Sequence, residues 1–271
     1  MSLKNCLSMS NLPFKAVLLA SLVALTGNVL SEPDFAREQR LADEFVDAVM
    51  DGDVVDISDG QRDFKAIYTE ADADVVKGTV VILHGRGFHP DWATVIQPLR
   101  VDLTTYGWNT LSIQMPVLNK AAKYNDYVPL FTDAMPRIEA AINYAREQSD
   151  GLLVLLAHSC GSHMAQHWVH QRGGNALASI DAFVGVGLGA TDYKQPMVEP
   201  FVLDKMIMPV LDLYGETDFP AVLRMAPQRD KMMKVGGNPK SKQVMVPQAG
   251  HYFEGYSDEL VEAVGSWLNT L

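Results

Sequence analysis

Ser159 stands in the run Leu155-Leu156-Ala157-His158-Ser159-Cys160-Gly161, where an apolar stretch of strand length ends in small-x-Ser-x-small. A serine hydroxyl on a sharp strand-to-helix turn is the nucleophile elbow of acyl transfer, and the turn closes only around small residues. Gly161 meets that demand, and Ala157 is one methyl larger than the glycine usual at its position. A hydroxyl nucleophile needs a base, and the base needs an acid that holds its ring in one tautomer and stabilises the imidazolium. His251, after Val246-Pro247-Gln248-Ala249-Gly250, is the expected base. Asp218, in the loop after Pro209–Tyr214, is the expected acid, with Asp212 and Glu216 as rivals. Negative charge on the reacting carbonyl oxygen calls for inward-facing amides. His84-Gly85-Arg86-Gly87 is a loop that can turn them inward, and the Arg86 and Cys160 amides are the expected oxyanion donors.

Elements of two periods must carry these residues. Thr79–Leu83 and Gly151–Ala157 are continuous apolar runs, as strands covered on both faces are. Phe64–Tyr68 alternates, Trp108–Ile113 is strand-like, and Asp181–Val186, Pro209–Tyr214 and Gln243–Val246 complete the strands. Helical spacing marks 34–50, 91–106, 133–147, 161–171, 220–235 and 258–271. Strands alternating with helices predict an α/β fold, a doubly wound, mostly parallel sheet with helices on both faces. In such sheets ligands bind beyond the carboxyl ends of the strands, where the four candidate segments fall. About 20 residues separate Gly187 from Met208. That length excludes a large cap domain, while Pro116–Phe131, with Tyr124, Tyr127 and Phe131, is the expected loop over the site.

The segment Gly78–Leu271 resembles the α/β-hydrolase superfamily. Within it, Leu83-His84-Gly85-Arg86-Gly87-Phe88-His89-Pro90-Asp91-Trp92 and Gly107-Trp108-Asn109-Thr110-Leu111-Ser112-Ile113-Gln114-Met115-Pro116 are similar to DUF3530, a family of mostly exported bacterial proteins. The resemblance implies hydrolase chemistry and an exported protein.

Other constellations point elsewhere. His163, His167 and His170 share one helix face at a spacing that can bind zinc, but no glutamate accompanies them as a zincin motif requires. Cys160 reads as a small buried residue more than as a thiol nucleophile. Asp91 is the expected N-cap of its helix and His89 a pocket residue. Met206, Met208, Met225, Met232 and Met233 read as core filling before they read as an acyl pocket.

Residues 1–31 hold two charges, Lys4 and Lys15, and the apolar run Ala16–Leu25, the layout of a secretory signal peptide. That run is short of the roughly 20 residues that span a bilayer, so stable insertion after leader removal is not expected, a retained anchor being the alternative. Of the chain's 22 basic and 33 acidic residues, 20 and 33 remain beyond the leader, a formal charge of −13. Such a surface repels nucleic acid. Cys160 is then the one remaining cysteine, so an internal disulfide is excluded and a periplasmic setting expected. The expected organisation is a leader at 1–31 and a hydrolase domain at 32–271. The expected function is a secreted serine hydrolase of small esters or thioesters that needs no cofactor and no metal. A binding protein that keeps the fold without turnover is the alternative.

Overall fold

The structure, a computed structural model, describes residues 32–271. The expected leader lies outside the described residues. The chain runs α1 (Phe35–Phe45), β1 (Asp53–Ser58), β2 (Asp63–Thr69), β3 (Gly78–Leu83), α2 (Ile96–Asp102), β4 (Trp108–Ile113), α3 (Tyr124–Tyr127), α4 (Phe131–Gln148) and β5 (Leu152–His158). It continues with α5 (Cys160–Arg172), α6 (Gly174–Ala178), β6 (Ala182–Val186), β7 (Val210–Gly215), α7 (Pro220–Gly236), β8 (Lys242–Val246) and α8 (Ser257–Leu268). The eight strands form one sheet in the order β1-β2-β4-β3-β5-β6-β7-β8. β2 is antiparallel to β1 and to β4, and β4 through β8 are parallel.

Alternate residues of the central strands feed two cores. Val80, Ile82, Val154 and Leu156 pack beneath α2 and α8, which contribute Leu99, Leu260 and Trp267. Val81, Leu83, Leu153 and Leu155 face the opposite side, where α4 and α5 bring Ile138, Ile142, Met164 and Trp168. All six residues of β3 and of β4 are buried; β3 is nearly all apolar, and in β4 the Thr110 and Ser112 hydroxyls donate to the Arg100 and Pro90 carbonyls. Among the described residues no helix is long and apolar enough to cross a membrane.

Three differences from the sequence reading have local causes. β1 is an added edge strand: Ile57 is its single buried residue, so its apolar signal is weak, and its pairing with β2 holds it. α1 ends at Phe45 because Leu41, Ala42 and Phe45 are the residues it buries. The helix expected from Asp91 begins at Ile96, and Asp91 does not cap it. Its carboxylate instead accepts hydrogen bonds from buried Arg100, at 2.7 Å from Nη2 and 3.1 Å from Nε. A guanidinium offers a charged fork where a cap offers one amide, so the ion pair takes the carboxylate.

Strand order reverses at β3: the chain steps from β3 outward to β4, then returns to place β5 on the other side of β3. The carboxyl ends of β3 and β5 flank that switch point, where open α/β sheets form their crevice. Leu83 and His158 are the last residues of these strands.

Candidate active site

β5 ends at His158 and α5 begins at Cys160, so a single residue, Ser159, makes the turn. Its backbone sits at φ 53° and ψ −117°, a strained conformation for a residue with a side chain. The Ser159 N–H donates to the Val186 carbonyl at 2.9 Å, tying the turn to the end of β6. Gly161 allows α5 to approach β3, since a Cβ there would stand 2.6 Å from the His84 carbonyl oxygen and 2.8 Å from that of Leu83. Ala157 is fully buried in register with Leu83 and Gly185, so its methyl fills core space and the turn closes around it.

Three loops bring Ser159, His251 and Asp218 together. His251 Nε2 lies 2.8 Å from Ser159 Oγ, and His251 Nδ1 lies 2.7 Å from Asp218 Oδ1. Asp218 Oδ1 also accepts the Phe219 N–H at 2.6 Å, which fixes the carboxylate at the start of α7. Phe219 stacks on the His251 ring at 4.1 Å between centroids, and Tyr252 meets it edge-on at 5.0 Å. The rivals are engaged elsewhere. Asp212, fully buried, accepts from Arg229 Nε at 2.8 Å and Gln243 Nε2 at 2.7 Å, side-chain partners rather than the backbone or helix end its mid-strand place suggests. Glu216 accepts the Gln248 N–H at 2.8 Å and braces the loop before His251.

The loop after β3 is held from three directions. His84 Nδ1 donates to the Gly85 carbonyl at 2.7 Å, and its Nε2 accepts the Met115 N–H at 2.9 Å. Burial lowers the His84 pKa to about 3, so the ring is neutral and can play both parts. Arg37 of α1 donates to the Gly87 carbonyl at 3.0 Å and to that of Leu118. The Arg86 guanidinium pairs with Asp192, whose carboxylate also accepts the Tyr124 N–H at 2.7 Å. Burial alone would push the Asp192 carboxyl up, but these donors and the Arg86 charge outweigh it and hold the group below the ordinary carboxylate range. Neither the Arg86 nor the Cys160 N–H bonds to a protein carbonyl among the described residues. Both residues line one cleft with Ser159. The Cys160 thiol is buried and, among the described residues, unbonded to another cysteine, and burial pushes its pKa up to about 12, against thiolate formation.

That cleft measures about 580 Å³ and is walled by Phe88, Tyr124, Phe219 and Tyr252 together with the segment 190–196. Tyr124 alone of the three aromatics in the expected loop reaches the cleft; Tyr127 is buried, its hydroxyl accepting the Leu118 N–H at 2.9 Å. The three α5 histidines diverge to separate partners: His163 to the Ala190 carbonyl, His167 to Glu199 and His170 to the Pro200 carbonyl. His163 thus holds the start of the segment that forms the cleft wall, and His167 and His170 hold the chain just beyond it. His89 stacks on Phe45 and is absent from the cleft lining, and Met206, Met208 and Met233 lie in the core beside α4 and α5.

His158, Arg37 and His84 are support residues that motif reading passes over. His158 is fully buried, and its Nε2 donates to the His251 backbone carbonyl at 3.1 Å. Burial, then the neighbouring His251, hold its pKa well below the ordinary histidine value, leaving it neutral. Its place beside the serine was a signal available in the sequence, but a histidine at that position carries no role of its own in the elbow motif.

Comparisons with known proteins agree with this architecture. The model of the family described as "Protein of unknown function (DUF3530)" matches residues 27–128 and 131–270. No curated protein matches the chain. Among solved structures, an α/β serine hydrolase homologue from Coxiella burnetii aligns at a TM-score of 0.59 and 19% identity over 80% of this chain and 98% of its own. Est1E from Butyrivibrio proteoclasticus, with ferulic acid bound, aligns at 0.60 and 16% over 80% and 98%. An α/β serine hydrolase without a lid from Xanthomonas campestris aligns at 0.57 and 13% over 82% and 95%. At such identities the likeness is one of fold, an open α/β-hydrolase sheet without a large cap. Since the family model covers nearly the whole described chain, the protein belongs to the DUF3530 family and carries the α/β-hydrolase fold.

Proposed function

We propose that the protein is an exported serine hydrolase acting on carboxylic esters or thioesters through Ser159, His251 and Asp218. The observation that carries this reading is the unbroken chain of contacts from Ser159 Oγ through the His251 ring to Asp218, at 2.8 and 2.7 Å. With its Nδ1–H donated to the carboxylate, His251 presents the Nε2 lone pair to the serine hydroxyl. Ser159 Oγ attacks the carbonyl carbon while its proton passes to His251 Nε2, and the Asp218 charge stabilises the imidazolium. The oxyanion accepts the N–H groups of Arg86 and Cys160. Imidazolium then protonates the departing alcohol or thiol, and water, deprotonated by the same ring, releases the acid from the acyl enzyme. Apart from that water, the steps use groups of the chain itself.

The leader-like layout of residues 1–31 and the single cysteine beyond it, Cys160, support export to a periplasm. The tight contact between serine and ring favours turnover over a merely binding role. The test is labelling with a fluorophosphonate probe. The wild-type protein is expected to react and Ser159→Ala to be silent; equal labelling of both overturns the reading.

A further inference from the structure

The lining of the cleft has a charge opposite to that of the molecule. The chain as a whole carries a formal charge of −11, yet Arg86, Lys194 and Arg224 line the cleft against a single carboxylate, Asp192. That carboxylate is already taken by Arg86, with the Lys123 ammonium 3.8 Å away on its other oxygen. Arg224 and Lys194 are left without a carboxylate partner among the described residues. Arg224 sits in the second turn of α7, and the residues three and four positions away, Pro220, Ala221, Pro227 and Gln228, offer it no acid. Lys194 has a backbone φ of 61°, a conformation costly for a lysine, and so is held in the cleft wall against its local preference. The same lining carries the aromatic residues Phe88, Tyr124, Tyr193, Phe219 and Tyr252, and the Lys194 ammonium lies 5.1 Å from the Tyr193 ring centroid.

We propose that the cleft selects an ester bearing a second, free carboxylate, with Arg224 and Lys194 as the groups that read it and Phe88, Tyr124, Phe219 and Tyr252 covering an apolar body between the two ends. The substrate class is then the half-ester of a dicarboxylic acid, a deepening that rests on the hydrolase reading above. A carboxylate suits either group, since a guanidinium fork takes both of its oxygens and an ammonium adds a point charge. The surrounding acidity repels anions in general, so unpaired cations inside a cleft give local attraction that the surface does not.

The test compares mono-p-nitrophenyl adipate with p-nitrophenyl hexanoate, which present the same reacting carbonyl and differ in the terminal carboxylate. In the wild type the ratio of kcat/KM is expected to favour the adipate by about fivefold or more, the scale of two partly exposed ion pairs. The ratio should fall toward one in the Arg224→Gln/Lys194→Gln double variant and at about 1 M salt. Both side chains are exposed, so the double variant loses no core packing. The same two esters are titrated calorimetrically into Ser159→Ala, where nothing is hydrolysed. A ratio near one in both turnover and binding, or one unchanged in the double variant, overturns the proposal. If neither ester is turned over by the wild type, the hydrolase reading fails, and the binding ratio still decides the carboxylate.

Discussion

At the residue scale, the geometry around His251 is set as much by what is missing as by what touches it. Gly187, at φ 64°, closes the end of β6 directly against the ring: a Cβ there would lie 2.7 Å from His251 Cε1 and 3.0 Å from Nδ1. Gly187→Ala is therefore expected to displace the imidazole and lower kcat/KM for an active ester by about 100-fold, with about 1 kcal/mol lost from stability through the left-handed backbone. Ester kinetics set beside a urea melt separate the two effects, and unchanged kinetics would show that the ring position does not govern turnover. The meeting of Ser159, Asp218 and His251 was legible because each follows an apolar run, in the chain order expected of a nucleophile, an acid and a base. His84, His158 and Arg37 were not, because their roles lie in bonds to backbone carbonyls and amides of loops distant in sequence.

At the element scale, the site exists because α5 reaches the end of β3. Gly161 is the point of closest approach, and the atoms a side chain would meet, the Leu83 and His84 carbonyl oxygens, belong to backbone that cannot rotate aside. Gly161→Ala is expected to cost about 1–3 kcal/mol by overpacking and to shift the loop after β3, read as a lower melting temperature together with loss of probe labelling. α1 serves this junction too. Its Arg37 spans the Gly87 and Leu118 carbonyls, while Glu38 meets buried Arg137 of α4 at 3.0 Å. The first helix of the described chain thus braces the loop that carries Arg86, although it lies outside the sheet. Its existence was legible from its apolar spacing, but its task was not, since amphipathicity shows which face is buried and not what the polar face holds.

At the scale of the molecule, three fully buried histidines make folding sensitive to acid. His84 and His163 have their pKa values lowered by burial to about 3 and about 4, and His158 is lowered well below the ordinary value. The unfolded chain binds protons at these sites near pH 6.5 while the native protein stays neutral, so stability is lost as pH falls. Between pH 6.5 and 5, above the range where most carboxyls titrate, the slope approaches about 4 kcal/mol per pH unit for three groups. Urea unfolding across that window measures it, and a flat profile would mean that the histidines are accessible to protons in the native state. The expected positions of the central strands agree with the structure within one residue, because strands buried on both faces are mostly apolar. β1 escaped notice because an edge strand that buries one residue owes its existence to pairing with β2 and carries little signal of its own. By itself the sequence determined the fold class, the strand ends and the candidate residues at them, since periodicity and chain order are local quantities. The tertiary structure alone decided which of Asp212, Glu216 and Asp218 faces His251, that Asp91 pairs with Arg100, and that Arg224 and Lys194 share a cleft with Ser159. Apart from the Asp91–Arg100 pair, nine residues apart, these outcomes depend on distances between segments far apart in the chain, which become defined when the two cores pack against the sheet.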